Sequence, residues 1–413
     1  MSQTVVADLA PQRAKPAPNV PIVDFDPYSE EVLTNPYGYY EELREAGPLV
    51  WLSEYDVYAV GRHEPVTRVL TDPKTYCSSA GVGLTNFHTE KPWRKPSIIL
   101  EVDPPEHSRT RKVFVRILSP RALNKLRERF EREAEAMVLR LIEKGECDGV
   151  TELAEAYPLK VFADAVGVPP DGRHHLLPYG DMVFNAFGPM NDRFKDCFAK
   201  LGPSIEWINA ACQRENLTKD GFGADLYAAA DAGEITHEEA GLLVRTMLSA
   251  GLDTTIYTIG NALACFARHP DQWNVLSENP ALARQAIEEV LRYDSTFHSF
   301  YRTTTEPTTL EGVSLDAQQK ILVIVASANR DPRHWQNANS FDVTRKATAN
   351  MAFGTGLHGC AGQMIARLEG EIILKALATH VGKIELLGEP QLHFNNTVRG
   401  YSSLPIRVTA QKH

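Results

Sequence analysis

The stretch that decides the fold is Phe353-Gly-Thr-Gly-Leu-His-Gly-Cys360-Ala-Gly362, a glycine-rich loop that ends on a cysteine and runs into a helical pattern. Its centre, GTGLHG at residues 354–359, matches G-x-G-x-x-G, the loop that binds the pyrophosphate of a dinucleotide. Its end places Cys360 at the first turn of a helix, where free amides and the helix dipole lower the pKa of a thiol. The two interpretations predict different cofactors.

The dinucleotide interpretation requires a βαβ unit with an acidic residue about 20 positions after the loop. Residues 351–353 would end the first strand, residues 360–380 would form the helix, and residues 384–387 would form the second strand. The acidic residue would then be Glu385, which comes late, and too few residues follow for a doubly wound sheet. The thiolate interpretation is therefore favoured.

Composition narrows the classes of function. The chain has 413 residues, of which 43% are hydrophobic, and a net charge of −10. The hydrophobic fraction is ample for a buried core, and the negative charge argues against nucleic acid as the main partner. Six scattered cysteines without a C-x-x-C pair predict free thiols in a reducing compartment. Because neither a signal peptide nor a membrane-spanning apolar run is recognised, we expect a cytoplasmic protein that does not bind membranes.

Helical periodicity dominates the pattern of apolar residues. Residues 1–20 are rich in Ala and Pro and are expected to form a flexible tail, and residues 21–413 are expected to form a single domain. The main helical runs are 39–46, 122–144 and 281–293, and the short β-like runs are 49–51, 57–60, 320–327 and 384–387. The fold class predicted is mainly α with a minor β-sheet.

One predicted helix is unusually long. It begins at the capping box Thr236-His-Glu-Glu239 and meets no proline before Arg268. That length of roughly 30 residues corresponds to about 45 Å, so the helix must run through the middle of the protein. Yet residues 250–255 read AGLDTT, and polar groups in a buried helix cost stability. Taken alone, this centre predicts either a helix kink or a functional groove.

The loop and the polar-centred helix together resemble the cytochrome P450 superfamily. The loop carries Phe-x-x-Gly-x-x-x-Cys-x-Gly, which is much more specific than a lone cysteine. Further family elements follow in the family's order over about residues 35–410: Asp103-Pro-Pro-Glu-His107-Ser-Arg-Thr-Arg111, Glu289-Val-Leu-Arg292, and Phe341-Asp-Val-Thr-Arg345. The resemblance implies the cytochrome P450 fold, with the long central helix crossing a haem b group.

This resemblance implies a haem-thiolate monooxygenase that uses O2. Cys360 would be the axial ligand of the iron, and the Asp253–Thr254 pair would deliver protons for oxygen cleavage. Further haem contacts are implied for His107, Arg111, Arg302, Phe353, His358 and Gly362, and a structural network for Glu289, Arg292 and Arg345. A non-catalytic haem sensor is the disfavoured alternative, because a sensor gains nothing from a buried acid–alcohol pair.

The electron donor is expected to be a separate protein, since no flavin or nicotinamide site is recognised. We expect a 2Fe–2S ferredoxin, reduced by an NADH-dependent ferredoxin reductase, and a monomeric oxygenase. Arg109, Lys112 and Arg116 lie about 150° around their helix from His107 and Arg111. They would form a cationic face for an acidic ferredoxin, or else an ordinary solvated helix face.

The substrate signal comes from segments 90–105, 184–189, 242–255 and 299–305. They resemble a bacterial group that oxidises para-substituted benzoates, notably removing the methyl group of 4-methoxybenzoate. In that group a set of polar residues binds the carboxylate. The positions of this chain that match them are Arg94, Ser97, Arg245 and Thr246. The apolar slot would be lined by Leu100, Phe184, Phe187, Phe297 and Phe300. Ala250 would contact the substrate from the helix face that it shares with Thr246 and Thr254, since these three are spaced by four residues. On composition alone, the cluster around Arg94 is more typical of a basic surface patch than of a carboxylate site.

Three positions depart from that group's pattern. Thr246 replaces an expected serine, Thr296 an expected proline and Phe297 a smaller aliphatic residue. The volume of Phe297 predicts that long para-alkoxy chains are excluded, although Thr296 would partly relieve the crowding. Another planar acid, such as a cinnamate or an indole carboxylate, is the alternative substrate.

Overall fold

The structure is a computed structural model that describes residues 15–92 and 94–412. Within these ranges the chain forms mostly helices, with short strands between them. Helices α1–α17 span, in order, Glu30–Thr34, Pro36–Ala46, His63–Thr71, Glu106–Ile117, Pro120–Asn124, Arg127–Lys144, Ala156–Val166, Leu176–Asn185, Asp192–Ala199, Gly202–Ala211, Phe222–Asp231, His237–Ala250, Asp253–Arg268, Pro270–Glu278, Ala283–Tyr293, Val325–Ala328 and Gln363–His380. Strands β1–β13 span Ile22–Val23, Val50–Leu52, Val57–Val60, Tyr76–Cys77, Glu146–Asp148, Ser299–Thr304, Thr308–Leu310, Val313–Leu315, Lys320–Ile324, Val381–Leu386, Gln391–Phe394, Arg399–Ser403 and Pro405–Ala410.

The strands form one larger sheet and three small ones, in the order β1-β2-β3-β9-β6-β4, β10-β13-β5, β11-β12 and β7-β8. The fold class predicted, mainly α with a minor sheet, is confirmed. The run at 320–327 was expected to be one strand, but β9 ends at Ile324 and the chain turns into α16. Residues 351–353 form no strand, so the G-x-G-x-x-G loop lacks the βαβ context of a dinucleotide site.

The long central helix is interrupted, which corrects the prediction of one continuous helix. Its capping box at Thr236 is present, but α12 ends at Ala250 and α13 begins at Asp253. The Thr254 hydroxyl donates to the carbonyl of Ala250 at 3.0 Å, in competition with the helical amides. The break also packs tightly on α7, because a Cβ on Gly251 would lie 2.5 Å from the Phe162 ring.

The main hydrophobic core surrounds α13, whose side chains from Ile256 to Phe266 are almost all buried. A second core fills the space between the larger sheet and α3. Of the expected tail, residues 1–14 lie outside the described residues. The amide of Ala17 donates to the Tyr58 hydroxyl at 2.9 Å and Val20 is buried, so residues 17–20 pack on the sheet. All six cysteines are free.

Among the described residues, no helix combines the length and the hydropathy that a membrane-spanning segment requires.

Candidate active site

A cavity of about 610 Å³ lies between the α12–α13 break and the glycine–cysteine loop. Thr254 lines it from α13 and Cys360 from the loop, beside Phe353 and His358. Every residue predicted to contact substrate also lines it: Arg94, Ser97, Leu100, Phe184, Phe187, Arg245, Thr246, Ala250, Phe297 and Phe300. The structure therefore gathers residues from distant parts of the chain around one chamber.

The backbone of the loop explains two of its glycines. Gly354 and Gly356 have φ angles of 62° and 71°, a region that disfavours side chains. At Gly356 an added Cβ would also collide with the backbone carbonyl of Leu70. The turn is closed by the amide of Cys360, which donates to the carbonyl of Phe353 at 2.8 Å. These bonds fix the position of Cys360 just before α17.

The electrostatics of the Cys360 thiol differ from the sequence-based expectation. Burial raises the pKa of Cys360 above its ordinary value, which corrects the predicted lowering. The amides of Gly362 and Gln363 and the charges of Arg111 and Arg367 act in the predicted direction, but burial outweighs them. A bound metal ion removes this thiol proton, because a coordinating thiol is deprotonated outright.

Beside the loop lies a cluster of buried or half-buried nitrogen donors, several of which lack hydrogen-bond partners among the described residues. The His107 ring is fully buried, and neither of its nitrogens has a hydrogen-bond partner among the described residues. It lies 4.2 Å from the His358 ring, whose Nε2 is 3.9 Å from Asp103. Arg302 is also buried, and burial lowers its pKa to about 10. Burial lowers the pKa of both His107 and His358, so they act as neutral donors, and together with the Arg302 cation they suit an anionic ligand.

These features fit a haem group. Cys360 offers a sulfur ligand for iron, and the donors of His107, His358 and Arg302 suit the two propionates. Arg111, on the same helix as His107, donates to the carbonyl of Gly359 in the loop. Phe353 lines the cavity and packs under the guanidinium of Arg367, 4.4 Å from its centroid.

The acid–alcohol pair lies at the start of α13, with its two side chains in different environments. Thr254 is half-buried and lines the cavity. Asp253 is only 3% exposed, and neither carboxyl oxygen has a hydrogen-bond partner among the described residues. Its carboxyl group packs against Gly180 of α8, where an added Cβ would lie 2.6 Å from Cγ. Burial, Asp181 and Glu155 raise the pKa of Asp253 well above its usual range.

Sequence reasoning missed a polar cluster next to this acid. Asp181 accepts hydrogen bonds from His393 Nε2 and Asn395 Nδ2, both at 2.7 Å, and from Cys197 Sγ at 3.0 Å. These residues come from α8, α9 and the β11–β12 hairpin. No local motif marks them, because Asp181 and His393 are 212 residues apart.

The predicted carboxylate clamp contains a carboxylate of its own, which sequence reasoning also missed. Arg94 pairs with Glu101 through Nη1–Oε2 at 2.6 Å and Nη2–Oε1 at 2.7 Å. The Glu101 side chain is fully buried and also accepts the Ser97 amide at 2.9 Å. The charge of Arg94 is therefore already compensated, and its Nη1 also donates to the carbonyl of Lys95 at 3.3 Å.

Arg245 carries the less compensated charge at this end of the cavity. Its Nη2 donates to the amide oxygen of Asn209, and its buried Nε has no hydrogen-bond partner among the described residues. Among those residues no carboxylate lies within ion-pair distance of Arg245. The neighbouring Thr246 hydroxyl donates to the carbonyl of Leu242 at 2.9 Å.

Four phenylalanines form a continuous aromatic wall. The centroid distances are 6.1 Å for Phe184–Phe187, 6.1 Å for Phe184–Phe297 and 5.6 Å for Phe297–Phe300. Leu100 packs against this cluster. The segment is anchored by Thr296, whose hydroxyl lies 2.8 Å from that of Thr258 on α13.

The three residues of the predicted structural network lie together. Glu289 pairs with Arg292 at 2.7 Å and with Arg345 at 3.1 Å, so the three predicted members of the network are in contact.

On the predicted redox-partner face, two of the three cations are engaged by carboxylates. Arg109 pairs with Glu239, and Arg116 pairs with Glu234 at 2.7 Å. Lys112 is exposed between them. The face is therefore less cationic than the sequence predicts.

Comparisons with known proteins agree with this geometry. Residues 173–380 match the family model described as Cytochrome P450. A relative named cytochrome p450 CYP199A2, from Rhodopseudomonas palustris, is 48% identical over 391 residues, which cover 94% of this chain and 95% of the relative. A steroid C26-monooxygenase from Rhodococcus jostii is 30% identical, with 94% and 85% covered. The solved structure of cytochrome P450 CYP109Q5 from Chondromyces apiculatus has a TM-score of 0.79 at 29% identity, with 94% and 99% covered.

Proposed function

Because the chain belongs to the cytochrome P450 family and is a monooxygenase with a cysteine-ligated haem, we propose that it oxidises the para substituent of benzoates. The reaction we favour is O-demethylation of 4-methoxybenzoate to 4-hydroxybenzoate and formaldehyde. The observation that carries this proposal is that the cavity has a polar end and an apolar aromatic wall. Arg245 and Ser97 line the same chamber as the phenylalanine wall and Cys360.

At the polar end, Arg245 supplies charge and Ser97 supplies direction. The Ser97 oxygen accepts the Leu100 amide at 3.2 Å, which leaves its proton available to a substrate carboxylate. Charge-assisted hydrogen bonds to a carboxylate are the strong ones. A carboxylate held here compensates the buried Nε of Arg245, whereas a neutral ligand leaves it unsatisfied.

The other end selects a flat, apolar group. Thr246 and Thr254 are eight helical positions apart, about 12 Å at 1.5 Å per residue, despite the local break. A benzoate that is bound by its carboxylate near Thr246 therefore extends its para group along the phenylalanine wall toward Thr254. The wall excludes water and fixes the ring plane, since aromatic side chains pack in defined relative orientations.

The haem that Cys360 would bind supplies oxygen activation, and this chain's residues supply position and protons. His107, Arg111, Arg302 and His358 would bind its propionates. Thr254 lines the cavity, and burial raises the pKa of the adjacent Asp253, which suits this carboxyl group to hold and donate a proton. One oxygen atom of O2 is inserted into a C–H bond of the methoxy group, which becomes C–O–H, and the other leaves as water, with two electrons and two protons consumed. The resulting hemiacetal breaks down to the phenol and formaldehyde.

We propose that the electrons come from a 2Fe–2S ferredoxin and an NADH-dependent ferredoxin reductase. The G-x-G-x-x-G loop supports this proposal, because it does not follow a strand and instead forms the turn before Cys360. The loop is therefore not a nicotinamide site, and the electrons need another source. Product formation from NADH with such a donor pair would test this electron route.

The experiment that tests the substrate is an optical titration of the ferric protein. 4-Methoxybenzoate is expected to shift the Soret band to the blue at micromolar concentration, because bound substrate excludes water from the iron. 4-Methoxybenzamide is the matched control, since it has the same shape without the charge. Equal responses to acid and amide would contradict the carboxylate site, and a response to neither would remove benzoates as the substrate class.

A further inference from the structure

We propose that His393 and Asp181 form the solvent end of the proton path that refills Asp253. The proposal rests on the proposed role of Asp253 as a proton donor. It assigns two positioning residues to that path, one on α8 and one on the β11–β12 hairpin, neither of which lines the substrate cavity.

The cluster reaches solvent on one side. The side chain of His393 is 28% exposed and that of Asp181 is 20% exposed, whereas Asp253 is buried. His393 Nε2 donates to Asp181 Oδ1 at 2.7 Å. Imidazole is the side chain that gains and loses protons near neutral pH, so this pair can take protons from water.

The same cluster contacts the helix that carries Asp253. The His393 ring stacks on Tyr257 at a centroid distance of 5.4 Å and an interplanar angle of 17°. Tyr257 follows Asp253 by one helical turn, so both side chains lie on one face of α13. On the other side, the Asp253 carboxyl packs on Gly180, the residue before Asp181. The two acids are therefore neighbours across α8 and α13.

The two carboxyl groups differ in charge because their partners differ. Burial would raise the pKa of Asp181, but hydrogen bonds from His393, Cys197 and Asn395 lower it below its ordinary value. Asp253 has no such donors in the part of the chain that the structure describes, and the groups that face it from α8 and from the π-helix Val150–Glu155 are the carboxyls of Asp181 and Glu155. One acid is therefore ionised while its neighbour holds a proton.

This arrangement makes proton transfer directional. When Asp253 releases its proton toward Thr254, it becomes a buried carboxylate beside the charge of Asp181, which is unfavourable. The Nε2 proton of protonated His393 then moves to Asp181, and Asp181 passes a proton to Asp253 across the gap beside Gly180. His393 is left neutral and takes one proton from solvent. Each cycle moves one proton inward and changes no oxidation state.

The first test measures proton exchange at Asp253 without turnover. The infrared C=O stretch of the protonated acid is assigned by its loss in Asp253→Asn, and its shift in D2O reports exchange. His393→Gln keeps a donor to Asp181 but cannot titrate, so exchange is expected to slow by about tenfold or more. Asp181→Asn is expected to slow it similarly. His380→Gln is the matched control, because His380 is also 28% exposed and pairs with Glu135 at 3.4 Å.

The second test compares two sources of oxygen. With NADH, ferredoxin and reductase, His393→Gln is expected to form less product per NADH, whereas hydrogen peroxide brings its own protons and should support wild-type rates. Unchanged exchange and unchanged coupling in both His393→Gln and Asp181→Asn would overturn the path. If 4-methoxybenzoate does not bind wild type, the substrate proposal fails, but the infrared exchange still decides this one.

Discussion

Arg94 and Glu101 form a two-point ion pair in the wall of the substrate cavity, with both N–O distances at or below 2.7 Å. The Glu101 side chain is fully buried, and it also accepts the amide of Ser97. The pair therefore holds together the loop that presents Ser97, while leaving little net charge. Arg94 therefore shapes the polar end of the cavity, whereas Arg245 supplies its positive charge.

Replacing both members of this pair tests that division. The double variant Arg94→Met, Glu101→Gln is expected to keep the affinity for 4-methoxybenzoate within about threefold, because two uncharged side chains replace an ion pair that has no net charge. Arg245→Met is expected to weaken binding by about tenfold or more, the loss of one charged hydrogen bond. Soret titrations measure both dissociation constants. A larger loss in the double variant would make Arg94 the main anchor.

Gly180 tests the environment of Asp253. Gly180→Ala places a Cβ 2.6 Å from Asp253 Cγ, so the carboxyl must move and its infrared band should shift. Less product per NADH is expected, with an unchanged ferric spectrum. The matched control is Gly260→Ala on α13, where an added Cβ has no neighbour within 4 Å. That control should gain about 0.5–1 kcal/mol of stability, as alanine replaces glycine in a helix.

Phe297 sets the length of the para substituent. It packs between Phe184 and Phe300, and the Thr296–Thr258 hydrogen bond holds its segment on α13. Phe297→Val is expected to raise kcat/KM for 4-ethoxybenzoate by about tenfold, the scale of a methylene-sized change in a pocket. Comparing product formation from the methoxy and ethoxy acids checks this. Loss of ethoxy turnover would show that the phenylalanine supports the slot instead of limiting it.

Lys320 predicts a pH-dependent stability. Its Nζ donates to the carbonyls of Ala80, Gly81 and Gly83, and burial lowers its pKa to about 7. Between pH 7 and the ordinary lysine pKa of about 10.4, the unfolded chain binds the extra proton, so stability should rise with pH. Urea unfolding at pH 7, 8 and 9 should show a steeper rise in wild type than in Lys320→Met. Parallel slopes would mean that the three carbonyls keep Lys320 charged.

The ion pairs on α4 predict unequal roles in ferredoxin binding. Arg116 is held by Glu234, whereas Lys112 is exposed. At low salt, Lys112→Ala is expected to raise the KM for ferredoxin several-fold and Arg116→Ala to change it less, because steering depends on uncompensated charge. Steady-state rates at varied ferredoxin concentration measure both. Equal effects would indicate that the partner displaces Glu234.

The features that the sequence predicted are those whose residues lie close together along the chain. The cysteine loop, the Glu289–Arg292 pair and the capping box at Thr236 each depend on residues within one or two turns, so their patterns are readable. Glu101 was missed because an acidic residue next to a basic cluster carries no spacing signal. The Asp181–His393 contact was missed because only folding brings together residues 212 positions apart.

The sequence predicted a kink or a groove at residues 250–255, but not an interruption of the helix. The interruption is accompanied by local hydrogen bonds and by one tertiary contact. The hydroxyls of Thr254 and Thr255 bond to carbonyls one turn earlier, and Gly251 packs on Phe162.

The break between α12 and α13 gives Asp253 a second property. In an unbroken helix this residue would lie mid-segment, far from either pole of the helix dipole. As the first residue of α13, it lies at the positive pole, where negative charge is favoured. The neutral acid is set by burial, but the anion left after each proton release is partly stabilised by the helix itself. The interruption at residues 251–252 thus turns a storage site into a donor.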